Sequence, residues 1–343
     1  MPVPPAAPAA TNATRVDFIE KRVLVTSPAT IPETVFSLPA IRSLRPLIRP
    51  GNLVVAANQE TAPVWRRLET IDKVIEYQSS DSVRRLARVL LEQGKAFDLA
   101  IVWEDSAIGR ALAKAGISRR LGPSDCDLDK WLTDPINLQS APGPIAHRVQ
   151  HYLRFVEMLG AQPYQPGYFR PPQRPKATSP DRVALVPGSD FGPSAEWPLE
   201  RFHEVAHKLA EHHQLAILPS PGRPGPAAKL ARLLDLRVTE VGTDSILEFL
   251  AGCRALVGND GTLPHLASLV GTPSVVLFGP NHVDWHRPLG KAHRVLHEHV
   301  ACSGCLLNKC PLDHRCMREL PVERVLRAFH ELPKRKKCPP SPS

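Results

Sequence analysis

Two kinds of apolar pattern alternate along the first half of the chain. Short apolar runs rich in β-branched residues are typical of buried strands, and stretches with an apolar residue every three or four positions are typical of amphipathic helices. The predicted strands cover residues 22–27, 53–57, 73–76, 97–103 and 116–122, the last as an edge strand. The predicted helices cover residues 30–44, 61–68, 81–93, 107–115 and 145–159.

The same alternation begins again after a segment crowded with proline. Strands are predicted at 182–187, 215–219, 237–241, 255–257 and 274–278, with helices at 199–212, 227–234, 245–253 and 263–269. Strands and helices that alternate at this spacing are typical of parallel sheets covered by helices. The sequence therefore predicts an α/β protein with two Rossmann-like domains. We expect their parallel sheets to face each other across a cleft, since ligands bind at the carboxyl ends of such strands.

The composition divides the chain into five predicted segments. These are a disordered leader at 1–20, an N-terminal domain at 21–162, a Pro-rich linker at 163–181, a C-terminal domain at 182–332 and a disordered basic tail at 333–343. The leader lacks the basic start and apolar core of a secretion signal. No apolar run in the sequence reaches the roughly 20 residues that span a bilayer. We therefore expect a cytoplasmic protein.

The charge favours anionic partners. Forty-three Lys and Arg residues against 34 Asp and Glu residues give a net charge of +9. Basic residues are spread along the chain without the interleaved aromatic residues of nucleic-acid-binding motifs, so we expect no nucleic-acid partner. Phosphorylated small molecules and an anionic membrane surface remain as candidates.

The turn that follows the strand at 255–257 is the clearest candidate for a binding site. It contains Asp260, Gly261 and Thr262, and His265 follows one helical turn later. Such a turn presents backbone N–H groups and the positive end of a helix dipole, which favour an anion. Glycine allows a ligand to approach the backbone closely. The alternative is an ordinary helix N-cap made by Asp260 or Thr262, with His265 as a packing residue.

Two motifs of the second half resemble glycosyltransferase family 9, the ADP-heptose:lipopolysaccharide heptosyltransferases. Residues 186–198, which read Val-Pro-Gly-Ser-Asp-Phe-Gly-Pro-Ser-Ala-Glu-Trp-Pro, resemble the family's Pro-Gly-Ala-x-x-Gly-Pro-x-Lys-x-Trp-Pro. Residues 259–265 are similar to its Asn-Asp-Ser/Thr-Gly-x-x-His, and Phe278-Gly279-Pro280 matches the Phe-Gly-Pro that follows. The resemblance runs from about residue 22 to residue 329 and is weaker in the first half.

This resemblance implies a GT-B fold, with the acceptor on the N-terminal domain and the nucleotide-sugar donor on the C-terminal domain. It implies an inverting transfer of heptose, or a related sugar, from an ADP-heptose-like donor to a glycolipid acceptor of the lipopolysaccharide-core type. It also implies that catalysis requires no cofactor. Peripheral contact with the inner membrane surface stays open as a partner that the net charge allows. The implied donor-binding residues are Ser189, Asp260, Gly261, Thr262 and His265. Amide groups there would offset the charge of the leaving diphosphate. Alternatively, Ser189 is a simple turn residue.

The first departure from the family pattern concerns the catalytic base. The family has an aspartate before its first helix, and the aligned residue in this chain is Glu33. Glutamate can also act as a general base. The alternative is a capping box, in which Glu33 bonds back to the N–H of Thr30.

Two further departures affect the donor. The family's lysine before Trp-Pro is Ala195, and Glu196 follows it, so the grip on a diphosphate should weaken. The loop after the strand at 215–219 lacks the acid that binds the donor ribose in the family, and Arg223 there either meets phosphate or is solvated. Two alternatives therefore stay open: a catalytically weak sugar-nucleotide-binding paralogue, and a transferase for another nucleotide sugar.

Four cysteines lie close together near the C-terminus. Cys302, Cys305, Cys310 and Cys316 begin with a Cys-x-x-Cys pair and fall within fifteen residues. Four thiolates at such spacing favour a structural zinc, with His314 as a substitute ligand and an iron–sulfur cluster as a second choice. Similar patterns occur in some members of the family. The alternative is a set of reduced thiols without a metal.

Overall fold

A computed structural model describes residues 16–138, 144–171, 179 and 181–334 of the 343-residue chain. The chain divides into two compact units, Met1–Pro142 with Val149–Tyr168, and Gly143–Arg148 with Phe169–Ser343. Parts of the predicted leader (1–15), linker (172–178 and 180) and tail (335–343) lie outside the described residues.

The break between the units lies within the linker that the sequence predicts. The unit bounds differ from the predicted domains in one segment, because Gly143–Arg148 is counted with the second unit. There the N–H of Arg148 donates to the carbonyl of Trp285 at 2.9 Å. His147 Nε2 lies 2.8 Å from the carbonyl oxygen of Arg287.

The first unit is a six-stranded parallel sheet with helices. Its strands are β1 (Val23–Thr26), β2 (Leu53–Asn58), β3 (Lys73–Tyr77), β4 (Leu99–Ile101), β5 (Arg119–Pro123) and β6 (Asp134–Ile136). Its helices are α1 (Ile31–Leu44), α2 (Ala62–Arg66), α3 (Val83–Leu91), α4 (Ala107–Lys114) and α5 (Val149–Met158), with 3-10 turns at Arg45–Leu47 and Pro166–Phe169. The strand order is β3-β2-β1-β4-β5-β6, the order of dinucleotide-binding Rossmann folds. The order reverses between β1 and β4, which is where such sheets bind ligands.

The local sequence accounts for these elements. Every residue of β1 and β2 is buried, as expected for central strands of a parallel sheet that is covered on both faces. The Thr30 hydroxyl accepts the N–H of Glu33 at 3.5 Å and so caps α1. After α5, Gly160 adopts the left-handed conformation (φ +103°) that commonly ends a helix.

The second unit is a five-stranded parallel sheet. Its strands are β7 (Arg182–Val186), β8 (Gln214–Ile217), β9 (Ala255–Asn259), β10 (Ser274–Phe278) and β11 (His293–His297). Its helices are α6 (Leu199–Ala210), α7 (Gly225–Leu233), α8 (Ile246–Gly252), α9 (Thr262–Leu269), α10 (Val283–His286), α11 (Arg315–Arg318) and α12 (Val322–His330), with a 3-10 turn at Pro193–Ala195. The strand order is β11-β10-β9-β7-β8, so β8 and β9 lie on opposite sides of β7. The switch point of this sheet therefore lies between β7 and β9.

Each unit has its own hydrophobic core. In the first unit, Leu24 and Val54 of the sheet pack with Leu86 of α3 and Leu112 of α4. In the second, the core includes sheet residues and the large side chains of Trp197, Phe202, Met317 and Phe329. Within the described ranges, no helix has both the length and the apolar composition that crossing a bilayer requires.

Two parallel α/β sheets confirm the predicted fold class, but several elements differ from the prediction. The strand predicted at 116–122 is not an edge strand, because β5 pairs with β4 and also with the short β6. The strand predicted at 237–241 is wrong, since only Val238 makes an isolated bridge to Ile217. The helix predicted from residue 145 begins four residues later, at Val149. β6, β11 and α12 have no counterpart among the predicted elements.

Candidate functional site

Two loops meet at the switch point of the second unit, one after β7 and one after β9. The side-chain amide of Asn259, at the end of β9, donates to the carbonyl of Pro187 at 2.7 Å. Its side-chain oxygen accepts the N–H of Trp197 at 3.1 Å. Asn259 is 1% exposed. One buried amide therefore holds both loops at the edge of the sheet where ligands of parallel sheets bind.

Ser189 joins the same two loops. Its side chain is fully buried, and its hydroxyl donates to the carbonyl of Asp260 at 2.6 Å. The same hydroxyl accepts the N–H of Phe191 at 3.2 Å. Ser189 thus positions the Asp260 turn. Its predicted contact with phosphate stays a prediction.

Asp260 places a buried carboxylate between an amide and two imidazoles. Its Oδ2 accepts a hydrogen bond from the side chain of Asn281, in the loop after β10. Its Oδ1 lies 3.5 Å from His286 Nδ1 and 4.0 Å from His265 Nε2. Within the described part of the chain, this oxygen accepts no hydrogen bond. It is therefore a place where a ligand hydroxyl or a cation can bind.

His265 is completely buried, and its ring contacts that of His286 at a centroid distance of 4.9 Å. Burial, with a smaller contribution from His286, holds the pKa of His265 well below its usual value of 6.5. The imidazole is therefore neutral at physiological pH. It can exchange hydrogen bonds with a ligand, but it cannot balance the charge of a diphosphate.

The start of α9 carries an anion from the protein itself. Asp190, in the loop after β7, accepts the N–H of Thr262 at 2.9 Å and its hydroxyl at 2.7 Å. The hydroxyl of Ser220 lies 3.3 Å from the same carboxylate. Gly261 fits beneath it, because a Cβ at this position would lie 2.3 Å from Asp190 Oδ1. The predicted residues Gly261 and Thr262 thus form a turn that holds a carboxylate.

Arg223 pairs with an acid. Its guanidinium donates two bonds of 3.0 Å to the carboxylate of Glu196, which also accepts the N–H of Ser189 at 3.4 Å. This pairing raises the pKa of Arg223 above its usual value. The Arg223 side chain is 40% exposed while paired with Glu196, and its contact with phosphate stays a prediction. Ala195, at the position of the family's lysine, is buried.

Cys302, Cys305 and Cys310 lie in the loop before α11, and Cys316 lies in α11; residues 302–316 are here called the cysteine loop. Cys316 is buried, and burial together with the neighbouring thiols raises its pKa to about 11. Among the described residues, the three potential ligands whose atoms lie within 4.8 Å of one another are Asp260, His265 and His286, and no three cysteines meet this limit. The predicted metal site at the cysteines stays a prediction.

The cysteine loop packs against the loop after β7 and the loop after β10. The carbonyl of Asn308 accepts the N–H of Ser194 at 3.2 Å. His314 Nε2 lies 2.6 Å from the carbonyl of Ser194. The N–H of Leu306 donates to the carbonyl of Pro280 at 3.0 Å. The loop thus supports the segments that follow Asp190 and precede Asn281.

The first unit places Glu33 at its own switch point. The loop before α1 is held from both sides, because Ala29 donates its N–H to Glu104 after β4 at 2.7 Å and accepts from Asn58 of β2 at 3.1 Å. The half-buried carboxylate of Glu33 accepts a hydrogen bond from the hydroxyl of Tyr152 on α5. The capping alternative is supported in part, since Thr30 does cap α1 through the N–H of Glu33.

Four further residues of these sites are absent from the sequence prediction: Asp190, Asn281, His286 and Tyr152. Asp190 and Asn281 stand inside or beside recognised motifs, so their position in the loops that end β7 and β10 was an available signal. Nothing in the sequence around His286 connects it with Asp260, 26 positions away. Nothing around Tyr152 connects it with Glu33, 119 positions away.

Comparison with known proteins identifies relatives. The family model described as Glycosyltransferase family 9 (heptosyltransferase) matches residues 83–315. Lipopolysaccharide heptosyltransferase 2 of Salmonella typhimurium is 26% identical over 163 residues, which are 44% of this chain and 46% of that protein. The matched segment thus spans about half the length of this curated relative.

Solved structures extend the similarity to nearly the whole chain. The E. coli ADP-heptose lipopolysaccharide heptosyltransferase II has a TM-score of 0.73 at 21% identity and covers 90% of this chain and 97% of its own. A family 9 glycosyl transferase from Veillonella parvula has a TM-score of 0.75 at 17% identity, with 93% and 98% covered. At these identities the similarity establishes the fold, and the predicted GT-B type is confirmed.

Proposed function

Because the chain belongs to glycosyltransferase family 9, whose model covers about two thirds of it, we propose that it transfers a heptose or a related sugar from an ADP-sugar to a lipopolysaccharide-core acceptor. The observation that carries the proposal is the meeting of the Ser189 and Asp260 loops at the switch point of the second sheet. Parallel sheets bind nucleotides at this position. The described relatives that act on heptose add support, since their names state that activity.

We propose an inverting transfer that needs no cofactor. Glu33 removes the proton of an acceptor hydroxyl, whose oxygen attacks the anomeric carbon while the bond to the nucleoside diphosphate breaks. At the start of α9, the backbone amides and the helix dipole stabilise the negative charge of the leaving group. The neutral His265 contributes a hydrogen bond and no charge. The carboxylate of Asp260 accepts a hydrogen bond from a hydroxyl group of the donor.

The test is transfer from ADP-heptose to a lipopolysaccharide-core acceptor, followed by the anomeric configuration of the product. We expect transfer with inversion in the wild type, a loss of about 10²–10⁴-fold in Glu33→Gln and retained ADP binding in that variant. Glu33→Asp, which restores the family's carboxylate, is the matched control and keeps measurable transfer. Full activity in Glu33→Gln would contradict the assignment of the base.

The same assay separates the alternatives. Tight ADP binding without turnover in the wild type would favour a sugar-nucleotide-binding paralogue. Preference for UDP or GDP over ADP in a thermal-shift screen would favour a different nucleotide sugar, because the preferred ligand raises the melting temperature most.

We further propose that the cysteine loop holds a structural zinc. The spacing of the four cysteines, which begin with a Cys-x-x-Cys pair and fall within fifteen residues, supports it. Protein purified without chelators is expected to contain about one zinc per chain. Metal-free wild-type protein would end this proposal.

We also propose a cytoplasmic location with peripheral contact at the inner membrane. The net charge of +9 favours an anionic surface, and Leu306, Leu307 and Leu312 are exposed by 46%, 46% and 68%. Sedimentation with anionic vesicles is expected to fall as salt rises and to weaken in Leu312→Ser. Leu91→Ser, at a 65% exposed leucine of the first unit, is the control. Equal binding to neutral vesicles would contradict the proposal.

A further inference from the structure

Asp190 has the contacts of a bound anion. Both of its oxygens accept hydrogen bonds from Thr262, one from the backbone N–H and one from the hydroxyl. Thr262 is the first residue of α9, where unpaired N–H groups and the helix dipole attract negative charge. The carboxylate therefore occupies the backbone N–H group of α9 that a phosphate from solution would otherwise bind.

The remaining amides of this helix start are few. The third residue of α9 is Pro264, which has no N–H. The N–H of Thr262 is bonded to Asp190, and within the described part of the chain the N–H groups of Gly261 and Leu263 make no backbone hydrogen bond. A diphosphate therefore gains most by taking the place of the carboxylate.

The carboxylate of Asp190 is also accessible and has no cation beside it. Asp190 is an exposed residue, whereas Gly261 and Thr262 beneath it are buried. In the described part of the chain, it forms no ion pair, and Arg223 nearby is bonded to Glu196. A ligand that approaches the start of α9 therefore meets an unneutralised negative charge first.

We propose that Asp190 is an internal competitor of the donor diphosphate. It leaves Thr262 when the nucleotide-sugar binds and returns as the nucleoside diphosphate departs, which speeds product release. The inference rests on the proposed function, because it assumes that the start of α9 receives the leaving group. No covalent bond is formed or broken in this exchange. The hydrogen bonds of Thr262 pass from the Asp190 carboxylate to the diphosphate and back.

The experiment measures the affinity of ADP and of adenosine by calorimetry for the wild type, Asp190→Asn and Asp190→Ala. Asparagine keeps an oxygen for the N–H of Thr262 but has no charge, whereas alanine frees the amide entirely. We expect the Kd of ADP to fall by about tenfold in Asp190→Asn and further in Asp190→Ala, because charge repulsion and then occupancy are removed. Adenosine, which has no phosphate, should bind all three forms equally. The dissociation rate of ADP should fall with its Kd.

Glu211→Gln is the matched control, since it makes the same change in net charge at an exposed residue just after α6. Its ADP affinity should equal that of the wild type. Unchanged or weaker ADP binding in both Asp190 variants would overturn the inference and leave Asp190 as a helix cap. If no form binds ADP or an ADP-sugar, the proposed function itself fails and the inference fails with it. Melting temperatures establish that each variant is folded.

Discussion

At the scale of single residues, the candidate donor site combines three acids with few available cations. Asp260 is buried beside two imidazoles, Asp190 covers the start of α9, and Glu196 is paired with Arg223. His265 is neutral because of its burial. For the proposed diphosphate, we therefore expect binding by backbone amides and the helix dipole rather than by the positively charged side chains described at this site.

The buried His265 gives the stability a specific dependence on pH. Its native pKa lies below the value of the unfolded chain, so the unfolded state binds more protons as the pH falls below about 6.5. The contribution of His265 to the stability of the protein is therefore fully present above that pH and decreases below it. We expect His265→Gln to make the unfolding free energy less steep between about pH 6.5 and 5, by up to ~1.4 kcal/mol per pH unit.

Denaturant unfolding over this pH range measures the difference, with His207→Gln on the exposed face of α6 as the control. The other titratable groups are the same in the wild type and in His265→Gln. The difference between the stability curves of these two proteins therefore reports on His265 alone. Parallel curves for the wild type and His265→Gln would contradict the assignment of a neutral buried imidazole.

Several of these residues were predictable and others were not. The Asp260 turn and its histidine stand in a motif, and a polar turn between two apolar strands signals a site locally. The contact of Asp190 with Thr262 joins residues 72 positions apart, and the contact of Tyr152 with Glu33 joins residues 119 apart. Such pairs are set by the order of strands in a sheet, which local patterns do not determine.

At the scale of elements, long apolar strands were predictable and short polar ones were not. β2 and β10 are buried along their whole length, and apart from Asn58 and Ser274 at their ends their residues are all apolar. β6 is three residues long and contains a proline, and β11 has histidine at both ends. The segment at 237–241 has strand-like residues, yet it gains only one bridge beside β8. Tertiary pairing overrides propensity here.

The cysteine loop is the element whose disruption we expect to weaken ADP binding at the proposed donor site. It bonds to Ser194 and to Pro280, on either side of the candidate site. If the four thiols hold a metal, Cys310→Ser releases it and loosens both contacts. We expect this variant to lose its zinc, melt at a lower temperature and bind ADP several-fold more weakly, because a structural metal contributes directly to folding.

Metal analysis, thermal melting and calorimetry on the same samples check this expectation. Cys126→Ser, at an exposed cysteine of the first unit, is the control and should change none of the three. A Cys310→Ser protein with unchanged ADP affinity would show that the loop does not support the donor site.

At the scale of the whole molecule, the two units have separate cores, and the proposed base and the proposed donor residues belong to different units. Glu33 belongs to the first unit, and the Ser189, Asp260 and cysteine loops belong to the second. A nucleotide that binds at the start of α9 stabilises the elements that hold it, and so suppresses their local opening. We therefore expect ADP to slow amide hydrogen exchange most strongly at residues 187–197, 258–265 and 279–282.

The segment that carries Glu33, residues 27–34, should show a smaller change with ADP alone, because the acceptor side of the reaction is then empty. Glu33→Gln should give the same protection pattern as the wild type, since the substitution lies in the other unit. At the same ADP concentration, Asp190→Ala should give stronger protection at residues 258–265. UDP, at equal concentration, tests whether the base of the nucleotide matters. Strongest protection at residues 27–34 would move the nucleotide to the first unit and reverse the assignment of donor and acceptor.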